Sequence, residues 1–188
     1  MPEPILFLVD DDPATLKALA AVLERRFGAD YRILIDASPA SALARIEKAC
    51  KRGEKVALVV ADLWTSGTSG PEWLVRVSEL CPGAGRCVLV GYGDANADPV
   101  IRRAFVLGQA DTYLVKPWGN PEERLYPVVS EMLGSWGEDS LAAPGGPSYC
   151  GRALGGSQSS GRSRARTPRR RYLASTAPRS RPISSTCC

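Results

Sequence analysis

The chain has 188 residues, 44% apolar and 23% charged, room for one ordinary domain and an appendage. Residues 1–137 hold 15 Lys+Arg against 18 Asp+Glu, whereas residues 138–188 hold nine Arg, no Lys and two acids. The net charge of +4 therefore comes from the C-terminal segment, and nothing argues for nucleic-acid binding by the body of the chain. There is no His, which excludes histidine acid–base catalysis, histidine metal ligation and any phosphohistidine step within this chain.

The first apolar run, Ile5 to Val9, reads as a buried strand and ends on Asp10, Asp11 and Asp12. Asp12 is a good N-cap and Pro13 suits a first helical turn. Leu16, Leu19, Leu23 and Phe27 recur at helical spacing, and Gly28 closes that helix. Tyr31 to Ile35 is a short second strand. Ser38-Pro39 opens a second helix, striped by Leu43, Ile46, Ala49 and Cys50 and stopped at Gly53. Val56 to Ala61 is an unbroken apolar run, as expected of a strand covered on both faces, and it ends on Asp62.

Leu63 to Gly70 reads as a small flexible loop. Pro71 opens a third helix with Trp73, Leu74, Val77 and Leu80 on one face. Pro82 to Gly85 is a turn, Cys87 to Val90 a fourth strand, and Pro99 to Leu107 a weakly patterned fourth helix. Thr112 to Val115 is a fifth strand, ending on Lys116-Pro117. Pro121 opens a fifth helix bearing Leu125, Val128, Val129, Met132, Leu133 and Trp136.

Five strand–helix units in alternation predict an α/β, flavodoxin-like doubly wound parallel sheet with strand order 2-1-3-4-5. Strands one and three are then neighbours, and the acidic cluster lies beside Asp62 at the switch point. The expected domain spans residues 1–137. Residues 138–188, rich in Arg, Ser, Pro, Gly and Ala, have too little apolar surface to offset ordering entropy and are expected to be disordered. Their composition also fits an out-of-frame reading of a GC-rich gene. Of the six cysteines, Cys50, Cys81 and Cys87 read as buried, reduced residues, because no metal-ligand spacing is present. No stretch is long enough to span a membrane and no signal peptide is visible, so the cytoplasm is the expected compartment.

Asp10, Asp11 and Asp62 converge at the carboxyl edge of such a sheet. Like charges held together require a cation, and hard carboxylate oxygens suit Mg²⁺. A carboxylate can also attack phosphorus, and a lysine opposite would stabilise the charge on the phosphoryl oxygens. Asp62 is the candidate nucleophile and Lys116 the candidate lysine. A P-loop is excluded, because no G-x-x-x-x-G-K-[ST] occurs.

Val9-Asp10-Asp11-Asp12-Pro13, then Asp62 with Gly70 eight residues on, then Tyr113-Leu114-Val115-Lys116-Pro117 resemble the receiver domain of two-component response regulators. The resemblance runs from about Ile5 to Trp136. It implies that Asp62 is the phosphoacceptor and that Asp10, Asp11, Asp62 and the backbone carbonyl of Trp64 hold Mg²⁺. It implies that Lys116 contacts the phosphoryl group and that Tyr113 is the rotating aromatic of a switch. The phosphoryl group would come from a separate histidine kinase or phosphotransfer protein. Enzymatic activity would be limited to self-phosphorylation and self-dephosphorylation of Asp62, and a dimer is compatible with the family. Lys116 to Pro127 is similar to the segment of receivers that precede a thioredoxin-reductase-like flavoprotein module, although no G-x-G-x-x-G follows here.

The chain departs from the receiver pattern at Val90, where Thr or Ser would offer a hydroxyl to the phosphoryl group. Thr65-Ser66 replaces the usual Met-Pro, and the span from Asp94 to Lys116 is several residues long. Two other readings are a degenerate receiver that binds a partner without phosphorylation and a haloacid-dehalogenase-type phosphatase built on Asp10 and Asp12. The second leaves Asp62 and Lys116 without a role and lacks that family's lysine between Lys55 and Lys116.

Overall fold

The computed structural model describes residues 3–142. Five parallel strands form one sheet: β1 (Ile5–Val9), β2 (Arg32–Asp36), β3 (Val56–Asp62), β6 (Gly85–Gly91) and β7 (Thr112–Lys116). Their spatial order is β2-β1-β3-β6-β7. This is the flavodoxin-like doubly wound arrangement, and its switch point falls between β1 and β3. Val9 pairs with Ala61, so the residues that follow, Asp10 and Asp62, leave the sheet side by side.

Six helices connect and cover the strands: α1 (Pro13–Phe27), α2 (Pro39–Lys51), α3 (Gly70–Leu80), α4 (Ala97–Val106), α5 (Pro121–Arg124) and α6 (Tyr126–Ala142). Every residue of β1 and β3 is buried, because helices lie on both faces of the sheet. Alternation along the strands divides the core in two. Phe7, Val59, Val88 and Val90 face Ile46, Leu74, Val77 and Ala104 of α2, α3 and α4. Leu6, Leu8, Leu58 and Leu89 face Leu19, Leu23, Val129 and Leu133 of α1 and α6. Burying each such side chain contributes roughly 1.5–3 kcal/mol, and the apolar run of β3 supplies both halves.

Local chemistry starts the helices. Asp12 accepts from the Ala14 and Thr15 amides, Ser38 from the Ser41 amide and Ser69 from the Glu72 amide, and each cap is followed by a proline in the first turn. Trp73 donates to the Pro39 carbonyl at 2.8 Å, tying α3 to the start of α2. The Tyr126 hydroxyl donates to the Val22 carbonyl at 3.1 Å, tying α6 to α1.

Three expectations are corrected. The segment after Asp62 is a small antiparallel hairpin, β4 (Trp64–Thr65) and β5 (Thr68–Ser69), rather than an open loop. It turns at Gly67, whose φ of 88° suits glycine. The fifth helix is two, broken at Leu125, because Pro127 has no amide to continue the first ladder. Cys50 and Cys81 are not separate thiols: their sulfurs are joined across the C-terminal ends of α2 and α3, with Cα atoms 7.0 Å apart. Neither the periodicity of α2 nor the turn after α3 reveals that the two ends meet. Cys87 is a free, buried thiol, whose pKa burial raises. Helix α6 runs from Tyr126 to Ala142. The expected disorder of residues 138–188 falls, beyond Ala142, outside the described residues. Among the described residues, no helix is long and apolar enough to cross a membrane.

Candidate phosphoacceptor and metal site

The site is built at the carboxyl edge of β1, β3 and β7. Asp10 leaves β1 with 1% of its surface exposed and accepts the Asp12 amide at 2.9 Å. Asp11, the next residue, is exposed, and its carboxylate accepts the Ser66 hydroxyl at 3.0 Å. Asp62 ends β3 with 6% exposure. One of its oxygens accepts the Trp64 amide at 3.3 Å, while the other lies 2.7 Å from Lys116 Nζ. Lys116 ends β7, before a cis peptide bond to Pro117, and also reaches Asp10 at 3.0 Å. One ammonium thus bridges two buried carboxylates from two other strands.

Burial pushes the Asp62 carboxyl above the usual aspartate range, against the opposing pull of Lys116. Burial also works against the charge on Lys116, but hydrogen bonds to Asp62 and Asp10 outweigh it and raise its pKa. Asp10, Asp11 and Asp62 each offer an oxygen within 4.8 Å of the others'. Three hard oxygen donors at that spacing fit a divalent cation of the Mg²⁺ type. Asp12 is not one of them: its two oxygens are taken by the Ala14 and Thr15 amides and the Thr15 hydroxyl.

The other expected residues lie nearby in the fold. Val90 is 5% exposed and packs in the apolar core with Ala97 and Ala104. Tyr113 is 38% exposed, its ring 6.1 Å from that of Phe105 on α4. Trp64 is half exposed, and its indole donates to Asp94 at 2.6 Å. That bond lowers the pKa of Asp94, helped by the Asn96 amide. The sequence reading missed the roles of Ser66, Asp94 and the Trp64 indole. No periodicity marks such pairs, because each joins two loops whose approach is set by the sheet.

Gly70 explains its own place eight residues after Asp62. Its amide bonds the Leu63 carbonyl at 3.0 Å, and a Cβ there would stand 2.1 Å from the Asp62 carbonyl oxygen. Glycine therefore lets the hairpin close against the end of β3.

The fold and this edge define a flavodoxin-like α/β protein with an acidic, lysine-bridged site. Among solved structures, the chain is similar to a CheY-like response regulator receiver domain protein from Methanospirillum hungatei JF-1 (27% identity, TM-score 0.57, 73% of this chain and 99% of that one). It is also similar to an uncharacterised protein from Neptuniibacter caesariensis (28%, TM-score 0.61, 76% and 97%). The signal receiver domain of an HD domain-containing protein from Pseudomonas fluorescens Pf-5 shares the fold at 23% identity (TM-score 0.62, 76% and 96%). No family model and no curated protein matches the chain.

Proposed function

We propose that the protein is a receiver that takes a phosphoryl group from a histidine kinase or phosphotransfer protein onto Asp62. The observation that carries this reading is the Lys116 ammonium held between Asp62 and Asp10, with Asp11 completing a set of three carboxylates. An Asp62 oxygen attacks phosphorus, the new P–O bond forms, and the donor's P–N bond breaks with its electron pair returning to the imidazole. Lys116 holds Asp62 in place beforehand and stabilises charge on the phosphoryl oxygens afterwards. Asp10, Asp11, Asp62 and the Trp64 carbonyl would hold Mg²⁺. When bound, that ion offsets the repulsion between an anionic nucleophile and an anionic donor.

Tyr113 is the aromatic switch in this reading, and α4 with β7 and the helices after it form the partner surface. The kinship of residues 116–127 with receivers that precede flavoprotein modules, the cytoplasmic compartment and a dimeric state belong to the same proposal. Catalysis is confined to gain and loss of the group at Asp62.

The test is intact-protein mass after incubation with a small acyl phosphate, with and without Mg²⁺, for wild type and Asp62→Asn. The expected result is a single Mg²⁺-dependent phosphoryl gain that is absent in Asp62→Asn. A second reading rests on Val90, whose side chain has no hydroxyl to offer: a binding module that works without phosphorylation. No mass gain under any condition, together with partner binding unchanged by Asp62→Asn, selects it. Steady turnover of phosphate monoesters would instead revive the phosphatase, which the engagement of Asp12 as a helix cap disfavours.

A further inference from the structure

The hairpin after β3 is fastened at both sides of the site. On one side Ser66 bonds Asp11, in the segment joining β1 to α1. On the other the Trp64 indole bonds Asp94, in the segment joining β6 to α4. Trp64 is also the residue whose amide meets the Asp62 carboxylate. Asp94 in turn shapes the entry to α4: its other oxygen accepts the Asn96 amide at 2.9 Å and its carbonyl accepts the Ala97 amide at 3.2 Å. A chain of hydrogen bonds therefore runs from Asp62 through Trp64 to Asp94 and the first turn of α4. It reaches the same segment that Val90, without a hydroxyl, has no polar means to contact.

We propose that Trp64 is a positioning residue that transmits the state of Asp62 to the β6–α4 segment through its indole bond to Asp94. The inference rests on Asp62 being the phosphoacceptor. Converting that carboxylate to an acyl phosphate changes the acceptor facing the Trp64 amide, and the short hairpin carries the resulting shift to the indole. The bond to Asp94 is charge-assisted and short, so the carboxylate follows the indole rather than releasing it.

The experiment uses the full chain, acyl phosphate and Mg²⁺. Three quantities are read at a matched fraction modified: phosphoryl gain by mass, hydrogen exchange of residues 92–106, and the indole N–H resonance of Trp64, assigned by its absence in Trp64→Phe. In wild type, modification is expected to move the resonance and alter the exchange. Asp94→Ala should still take up the phosphoryl group but lose the change in exchange. Asp94→Glu, which keeps two carboxylate acceptors, should restore it at least in part. Trp64→Phe, which leaves the Asp94 turn intact, should lose it again. A structural role for Asp94 would alter exchange in both states alike and leave the difference between them. If the phosphoryl group is taken up but the resonance stays still, or the change survives in Asp94→Ala and Trp64→Phe, the relay is overturned and the phosphoacceptor reading stands. If wild type gains no mass, the phosphoacceptor reading falls and takes the relay with it.

Discussion

Lys116 Nζ lies 2.7 Å from a carboxylate oxygen of Asp62, a contact that joins the end of β7 to the end of β3 across the intervening strand β6. The same ammonium reaches Asp10, so it is the shared counter-charge of two carboxylates that are almost wholly shielded from water. Removing one partner of a buried ion pair is far more costly than the pair is worth, because the remaining charge is left without compensation. Lys116→Ala should therefore lose about 3 kcal/mol of stability in metal-free buffer. Mg²⁺ should restore part of that loss, since a cation that binds only the folded state stabilises it by mass action. Urea melts with and without Mg²⁺ measure both effects; equal stability of variant and wild type without metal would contradict the argument.

The opposite sign is expected for Asp62→Asn. Burial raises the Asp62 pKa in the folded chain above its ordinary value of 3.8, so the folded state holds that proton more tightly than the unfolded one. Ionisation therefore penalises the fold as pH rises past the ordinary value. The amide variant escapes the penalty and should be the more stable protein near pH 7 in metal-free buffer, Lys116 keeping Asp10 as its partner. Below the ordinary aspartate range Asp62 is protonated in the folded and unfolded chain alike, and the advantage should vanish. Melts of both proteins from pH 3 to pH 8 check this, and a variant less stable at neutral pH would refute it.

Gly70→Ala should damage the site without touching a charged group. The added methyl would overlap the Asp62 carbonyl oxygen, which is backbone and cannot swing aside. Either the hairpin lifts or the end of β3 shifts, and overpacking of this kind costs about 1–3 kcal/mol. Phosphoryl uptake by Gly70→Ala should fall more than its melting temperature explains, because the displaced group is the backbone of the proposed phosphoacceptor.

The joined sulfurs of Cys50 and Cys81 close a span of 31 residues between α2 and α3. On a chain-entropy account, a loop of that length stabilises by about 3–4 kcal/mol. Reductant should lower the melting temperature, and Cys50→Ser with Cys81→Ser should match the reduced protein. A non-reducing peptide map should recover the linked peptides. Cys87, buried in the core with its thiolate disfavoured, should resist alkylation until the chain unfolds.

The legible part of the molecule was its local periodicity. The apolar runs of β1 and β3 could only be strands covered on both faces, and Asp12-Pro13 and Ser38-Pro39 could only open helices. Five such alternations leave few topologies once crossovers are right-handed, so the sheet order followed from them. Because β1 and β3 are then neighbours, the meeting of Asp10 with Asp62 was implied before any coordinate was known. The apolar stripe from Leu125 to Trp136 stays in phase across the break at Leu125, while Pro127 interrupts only the hydrogen-bond ladder, so hydrophobic period does not mark the break.

By itself, then, the sequence determined the five strands of the sheet, their order and the strand ends that carry Asp10, Asp62 and Lys116. These depend on hydrophobic period and capping chemistry, which act between residues close along the chain. Only the tertiary structure decided which side chains in the connecting segments and at the helix ends touch. Ser66 on Asp11, Trp64 on Asp94 and Cys50 on Cys81 join residues 55, 30 and 31 positions apart. Their meeting depends on where each loop and helix end comes to lie, a distance set by packing of whole helices rather than by any pattern in the residues themselves.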